Sequence, residues 1–544
     1  MPPGEPSRHE NTSLTDTTSL ADNTSLAETP SRAMRTTVPW ERLGRLVSAA
    51  GSATLEVRTP LDGSVLGTVP RSVTADVAEA ILLARAAQPA WAARTPRSRA
   101  AVMARFGRLV LDHRDEILDL TQLESGKSRL DAFEEVVDAA RTASHYAHVA
   151  PDLLRPQRRP GAVPVLTRTV ELRRPKGVVG VISPWNYPFT LAVSDAIPAL
   201  LAGNAVVLKP DSRTPLTALY GVALLRAAGL PDDLLQVMVG PGAELGPALI
   251  EGIDHLMFTG STATGREVAR RCGERLIGLT AELGGKNPLI VLPDADLRRA
   301  ASGAVRSAFA NAGQLCIAAE RIYVHRAVYD AFLTAFLAVV GRLRLGVGLD
   351  WRHDMGTLAS PAQLERVTVQ LHDAVARGAT VLAGGHARPD LAPWYVEPTV
   401  LADVPSEATM ACTETFGPVV SVQPVADLEE AIVRANDSEF GLSASVWTAA
   451  GRGEAVAGRL DVGAVTVNEG YSAAWASHAA PMGGWKASGL GRRHGVEGLL
   501  AFTESQTVAT QRLLPLEPPP GRRGAALAFV TGMTPGIRLL DRFR

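Results

Sequence analysis

Apolar positions along this chain change their period twice, and the changes mark out its regions. From Val73 onward they recur at three- and four-residue spacing through Ala75–Ala93, Arg97–Ser125 and Arg129–Ala150, which predicts three amphipathic helices. Between Val163 and Leu172 the pattern partly alternates and is bounded by Pro and Arg, as in an extended hairpin. Short continuous apolar runs follow at Gly177–Ile182, Ala205–Leu208 and Leu256–Phe258. Runs of this kind suit strands buried on both faces. Each precedes a helical stretch: Asp195–Ala202, Thr214–Ala228 and Gly265–Gly273. Alternation of strand and helix predicts a parallel sheet covered by helices, the α/β class. A second α/β region extends from about 287 to 480. In it Asp294–Ala310 and Val328–Leu343 read as helices, and Arg321–Val324, Val396–Leu401 and Val419–Pro424 as strands.

The chain ends behave differently. In residues 1–35 the triplet Thr-Ser-Leu recurs at Thr12, Thr18 and Thr24 among polar residues, with too little apolar surface to offset the entropy of ordering. A disordered tail is expected there. Residues 515–523 form a Pro/Gly/Arg linker, and the last twenty are basic and partly apolar, suiting an extra helix or a loose tail. A length of 544 residues exceeds one hydrophobic core. A net charge of −1 gives no electrostatic case for nucleic acid or an anionic membrane. The sequence lacks an apolar run long enough to span a bilayer and an apolar signal core at its start. Three cysteines argue against a disulfide framework and for a reducing compartment, so the cytoplasm is expected. Cys272 and Cys412 read as structural.

Ligands in open α/β sheets bind beyond the carboxyl ends of the strands. Three motifs fall at such ends: Ser183-Pro184-Trp185-Asn186, Lys209-Pro210-Asp211-Ser212 and Thr259-Gly260-Ser261. A triphosphate-binding loop would continue Gly260–Gly265 with Lys-Ser/Thr, but Arg266-Glu267 stand there. What remains is a glycine turn opening a helix, whose free N–H groups favour a phosphate. Cys316 ends a small, Gly-containing segment, Asn311-Ala312-Gly313-Gln314-Leu315-Cys316, and Glu282 precedes Leu283-Gly284-Gly285. A thiol, a carboxylate and an amide are the groups that covalent aldehyde oxidation requires. His145 and His148 stand three apart on a predicted helix and read as helix surface. The 11 histidines show no zinc-type spacing, and no metal is expected.

Pro184-Trp185-Asn186, Lys209-Pro210, Phe258-Thr259-Gly260-Ser261, Glu282-Leu283-Gly284-Gly285-Lys286, Gly313-Gln314-Leu315-Cys316, Glu414-Thr415-Phe416-Gly417-Pro418 and Asn436-Asp437 occur in this order. Together they resemble the aldehyde dehydrogenase superfamily over roughly residues 38 to 512. Within it the chain looks most like NADP-dependent succinate-semialdehyde dehydrogenases of actinobacterial type. The resemblance implies a Rossmann-like cofactor domain (36–155 and 176–284) and an α/β catalytic domain (285–480). It further implies a return segment (481–497) packing on the cofactor domain and a small β oligomerisation arm (156–175 and 498–512), between the tails 1–35 and 513–544.

Roles follow from the same resemblance. Cys316 is the nucleophile that forms a thiohemiacetal and then a thioester. Asn186 and the Cys316 backbone N–H stabilise the oxyanion, and Glu282 is the base for hydrolysis. Trp185, Asn186, Lys209, Pro210, Asp211 and Ser212 belong to the coenzyme site. Gly260 and Ser261 meet the pyrophosphate, Leu283 lines the nicotinamide pocket, and Glu414 grips its ribose with Phe416 packed close by. NAD-preferring relatives commonly carry Glu where Ser212 stands. A carboxylate repels a 2′-phosphate and a Ser accepts it, with Arg213 adjoining, so NADP is expected, with NAD the alternative. The partners implied are a small-molecule aldehyde and further copies of the chain, as a homodimer or homotetramer.

Two arginines that many succinate-semialdehyde enzymes use for the distal carboxylate are replaced by Ser194 and Ala310. The substrate reading therefore stays divided between succinate semialdehyde and neutral aliphatic or aromatic aldehydes. A non-catalytic member is the third reading, and the intact Cys316, Glu282 and Asn186 oppose it. The loop Tyr471–Trp485, with Ser472, Ser477 and His478, is expected at the substrate entry. Arg492 and Arg493 read as helix-surface arginines, with carboxylate attraction as their alternative role.

Overall fold

The continuous apolar runs become the centre of a six-stranded sheet. Its order is Gly489–Leu490, Gly278–Glu282, His255–Thr259, Val178–Ile182, Ala205–Lys209, Leu235–Val237. The computed structural model describes residues 40–162, 167–449 and 451–512, with scattered positions between 521 and 535. The tail expected over 1–35 lies outside the described residues, as do 163–166 of the expected hairpin and most of 513–544. Neighbouring strands of this sheet run parallel except the Gly489–Leu490 edge. Val178, Val179 and Val181 are buried, as are all five residues of Ala205–Lys209, because helices cover both faces. The register pairs Ile182 with Lys209 and Phe258, and Thr259 with Glu282. Four strands thus end level, and their carboxyl ends carry the motifs.

The second region forms a seven-stranded sheet. Its order is Thr380–Ala383, Thr399–Ala402, Val419–Val425, Ala319–His325, Asn287–Val291, Ser443–Trp447, Ala464–Val467. Phe332 and Phe336, stacked at 5.6 Å, pack with Leu289, Ile322 and Val420 in its core. A third, antiparallel sheet joins Thr503–Gln511, Thr167–Pro175 and Gln157–Arg159. The expected local hairpin is therefore incomplete as a description. Thr167–Pro175 pairs along its whole length with a strand more than three hundred residues later.

Helices differ from expectation at their ends. Arg97–Ser125 is two helices, Pro96–Asp112 and Arg114–Ser125, broken at His113. The apolar spacing runs through the break because both pieces pack on Arg129–Leu153. The helix expected over Asp195–Ala202 begins earlier, at Pro188. Its N-cap residue, Tyr187, makes no capping bond. The cap comes from a distant helix: Glu135 accepts from the backbone N–H groups of Phe189 (2.8 Å) and Thr190 (3.1 Å). Lys127 Nζ donates to the other Glu135 oxygen at 2.6 Å, with both side chains fully buried. Helix Pro215–Ala227 is capped in the same way by Glu124, which accepts from Leu216 (2.8 Å) and Thr217 (2.6 Å). Burial pushes the Glu124 carboxyl up to about 8, with the Thr217 and Leu216 hydrogen bonds opposing.

Candidate active site

Helix Leu297–Phe309 ends in a tight turn, Ala310–Gly313, before Cys316. Asn311, Ala312 and Gly313 are left-handed, with φ of 50°, 53° and 69°. For the two residues with a Cβ this costs roughly 1–2 kcal/mol each, so other bonds must hold the turn. Asn311 Nδ2 donates to the carbonyls of Asn186 (3.0 Å) and Gln314 (3.1 Å). The Gln314 side chain accepts from Ala359 N–H at 2.9 Å. Asn287 Nδ2 donates to the carbonyls of Cys316 and Ala318, both at 2.8 Å. A Cβ on Gly313 would stand 2.0 Å from the Gly417 carbonyl oxygen. Gly313→Ala should therefore shift Cys316 or the Glu414–Pro418 turn and cost about 1–3 kcal/mol or more. Thermal melting and the alkylation rate of Cys316 check this. A melting point and a rate equal to the wild type would refute it.

Cys316 is half-buried and shares one cavity of about 280 Å³ with Glu282 and Asn186. Burial pushes its thiol up to about 12, and the Glu282 and Glu414 carboxyls add to the rise; Arg493 and the Cys316 backbone N–H oppose it. Glu282 ends its strand, buried, and its Oε1 has no hydrogen-bond partner. Burial raises its carboxyl to about 8, Asp195 acts in the same direction, and Arg493 and Arg492 oppose. Asn186 is fixed at two points. Its Nδ2 donates to the Gln314 carbonyl at 3.0 Å, and its own carbonyl accepts from Lys127 Nζ at 2.6 Å. One amide hydrogen is left for a ligand.

Glu414 faces the Glu282 loop. Its Oε1 accepts from Gly285 N–H at 2.9 Å, and a Cβ on Gly284 would lie 2.6 Å from its Oε2. Burial, then neighbouring Glu320, pushes it up to about 7. Glu320 accepts from the N–H groups of Thr415 and Phe416 and is ion-paired to buried Lys286. The motif residue Lys286 therefore braces the Glu414 turn. Phe416 stands edge-on to Trp185 at 5.6 Å. Leu283 lines the Cys316 cavity and donates its backbone N–H to Ser488 at 2.9 Å.

A second hollow, about 740 Å³, adjoins the first and shares Trp185, Gly260 and Ser261 with it. Lys209, Asp211 and Ser212 line it, and Pro210 contributes its carbonyl to Lys209 Nζ at 3.1 Å. Ser212 Oγ donates to the Gly240 carbonyl at 2.7 Å. Arg213 is held by Asp211 at 2.9 and 3.0 Å and lies over the Trp185 ring at 4.7 Å. Its charge is thus shared with Asp211. Ser261 caps helix Thr262–Glu274, and the first residue of helix Gly242–Gly252 lines the same hollow. Buried Thr259 Oγ1 has no partner. Two helix starts, a cation and an orphan hydroxyl suit a dinucleotide with its phosphates.

Other expectations fare differently. Trp475 and Met482 of the expected entry loop line the Cys316 cavity. Ser472 and Ser477 bond to Glu469 and to the Ala473 carbonyl instead. His478 is buried and bonds to Asp138 at 3.0 Å. Folding brings Asp138, His478 and His494 together with ligand atoms within 4.8 Å, a cluster with no trace in sequence spacing. Burial holds His494 neutral, down to about 3. Arg493 is a correction: it precedes helix Gly495–Leu500, is 8% exposed, and lines the cavity. Asp195, its partner, carries no sequence signal beyond its place in a helix. Asn436 serves the fold, bonding to Asp461 N–H and the Arg459 carbonyl at 2.9 Å. Cys272 is buried and Cys412 is exposed.

A thiol, an amide donor and a buried carboxyl in one cavity, beside a hollow onto which two helices open, suit the covalent oxidation of a carbonyl carbon. The sequence profile described as the Aldehyde dehydrogenase family matches residues 46–508. The chain belongs to that family. A Mycolicibacterium smegmatis protein, provisionally named an NADP(+) succinate-semialdehyde dehydrogenase, is 54% identical over 88% of this chain and 93% of its own. A glutarate-semialdehyde dehydrogenase of Pseudomonas putida is 38% identical over 84% of this chain and 95% of its own. The crystal structure of an E. coli NADP-dependent enzyme superposes with a TM-score of 0.82 at 35% identity, covering 86% of this chain and 96% of the other. Family membership makes the chain an oxidoreductase acting on aldehydes, and its α/β architecture is that of these structures. Among the described residues, no helix is long and apolar enough to cross a membrane.

Proposed function

We propose that this aldehyde dehydrogenase oxidises succinate semialdehyde to succinate with NADP, using Cys316, Asn186 and Glu282. The observation that carries the chemistry is the single cavity wall these three share. The half-buried Cys316 thiol first ionises, releasing its proton to solvent. The thiolate adds to the aldehyde carbon, and the resulting oxyanion receives the Asn186 amide and the Cys316 backbone N–H. Bound in the adjoining hollow, the coenzyme supplies the hydride acceptor. A thioester remains on Cys316. Glu282 then draws a proton from water, which cleaves the thioester to the acid and restores the thiol.

Lys209 and Ser212 would hold the adenosine ribose and its 2′-phosphate, Gly260 and Ser261 the pyrophosphate. Trp185, Leu283, Glu414 and Phe416 would hold the nicotinamide ribose. The six-stranded sheet, with residues 36–155 and 176–284, would be the cofactor domain, and the seven-stranded sheet, within 285–480, the catalytic domain. Thr503–Gln511 is largely exposed along its length and, among the described residues, lies at the edge of its three-stranded sheet, which suits an arm joining copies into a dimer or tetramer. Three free cysteines suit a reducing cytoplasm.

A second reading, neutral aldehydes, is favoured by the apolar walls Tyr187, Leu191, Leu315 and Met482 and by Ser194 and Ala310. Initial rates with succinate semialdehyde and with butanal, each with NADP and NAD, decide between the two. The proposal expects the acid substrate with NADP to give the highest kcat/KM. It expects Ser212→Glu to lower NADP efficiency by about tenfold or more by placing a carboxylate against the 2′-phosphate. Equal use of butanal removes the substrate, and a native preference for NAD removes the reading of Ser212.

A further inference from the structure

Arg493 is held more firmly than a surface arginine and uses fewer of its donors. Its backbone exchanges hydrogen bonds with Met482 at 2.7 and 2.8 Å. Its Nη2 donates to Asp195 Oδ1 at 2.5 Å, both side chains being buried. Its guanidinium lies 5.6 Å from the Trp475 ring centroid. Among the described residues, Asp195 is the one acceptor for its side chain, so Nε and Nη1 are left over. The residue lines the cavity of Cys316 and Glu282.

Burying a guanidinium beside a thiol and a carboxyl is costly, and the pairing with Asp195 offsets that cost while leaving donors toward the cavity. Both neighbours must become anions during turnover, and burial opposes both. A cation favours the anionic form of what it faces. The charged groups facing Cys316 are Glu282, Glu414 and Arg493; those facing Glu282 are Asp195, Arg492 and Arg493. Arg493 itself faces Asp195, Glu282, Cys316 and Asp138, with His494 neutral beside it. Arg493 is thus the cation common to the thiol and the base. Arg492 spends its Nη1 on the carbonyls of Gly484 and Gly491.

We propose that Arg493, anchored by Asp195, is a positioning residue that steadies Cys316 and then Glu282 as anions in the two halves of the reaction. The proposal rests on the roles given to those two residues above. It gives a task to a fixed guanidinium that reaches the cavity from the far end of the chain.

The test is the pH dependence of Cys316 alkylation by iodoacetamide, without aldehyde or coenzyme, in wild type, Arg493→Gln and Arg493→Lys. Arg493→Gln should alkylate about tenfold more slowly at pH 8, its profile moving up by about one unit or more, since one unit is a tenfold change in thiolate. Arg493→Lys should stay within about threefold of wild type because it keeps the charge. Turnover of succinate semialdehyde and of butanal should fall together in Arg493→Gln. An unmoved alkylation profile overturns the proposal. Raised KM for the acid substrate alone would then make Arg493 a carboxylate receptor, and a uniform loss would make it packing. Arg493→Met, which keeps the apolar stem against Trp475, serves if the Gln variant does not fold. Cys316→Ser run alongside separates the two levels. If it alkylates like wild type, the assignment of the thiol fails, whatever Arg493 does.

Discussion

Replacing Cys316 with Ser should remove aldehyde oxidation by on the order of 10³-fold or more while leaving coenzyme binding and the fold intact. The substitution keeps the size of the side chain and removes an ionisable thiol. A cavity that pushes the thiol up to about 12 is more hostile still to an alkoxide, whose solution pKa is higher. No tetrahedral adduct then forms, and the aldehyde hydrogen has no route out. The measurements are reduced-coenzyme formation, melting temperature, and quenching of Trp185 fluorescence by NADP. Residual oxidation above about a tenth of wild type would mean that Cys316 is not the nucleophile.

Glu282→Gln separates the two halves of the cycle. Expected is a burst of reduced coenzyme close to one per site, followed by steady-state turnover about 10²–10⁴-fold below wild type, the range for losing a general base. Oxidation still leads to the thioester where Cys316 can ionise, and water is no longer activated. Full steady-state rate in the variant would remove Glu282 from the mechanism. The sign of the pH effect follows from its raised carboxyl. Glu282 is protonated below about 8 and competent as a base above it. Hydrolysis-limited turnover in wild type should therefore rise with pH through about 8 and then level, and the Gln variant should lose that rise. Stability moves the other way. An unfolded Glu releases its proton near ~4.3, so between there and about 8 the folded protein binds the extra proton and loses stability as pH rises. The Gln variant should melt no lower than wild type above pH 8.

Much of this site is legible in the amino-acid sequence, for a physical reason. Trp185, Asn186, Lys209, Gly260 and Ser261 follow apolar runs, and a parallel sheet presents the ends of such runs side by side. Cys316 stands out because it ends a small, Gly-containing segment that lets backbone approach a ligand. What stays hidden depends on contacts between remote segments. Glu135 and Glu124 cap helices some fifty to ninety residues away, and although Pro188 and Pro215 mark the helix starts locally, the residues that cap them do not show in sequence. Arg493 resembles a helix-surface residue in sequence because its neighbour Arg492 and the following helix supply that context. Its burial depends on Asp195, 298 residues earlier. Ser194 and Ala310 stand where the resemblance leads one to expect arginines, and spacing alone holds no sign that Arg493 borders the cavity.

The Asn186 carbonyl has a meaning beyond its own residue. It is a junction where Lys127, from the helical layer, and Asn311, from the thiol loop, meet on one oxygen atom. Three stretches of chain, otherwise far apart in order of synthesis, must dock before that atom is satisfied. A newly made chain can pair its strands and still have neither an amide aimed at the substrate nor a thiol loop held in its unfavourable backbone shape. Activity should therefore require all three stretches docked at once, and it should be lost abruptly when that layer loosens.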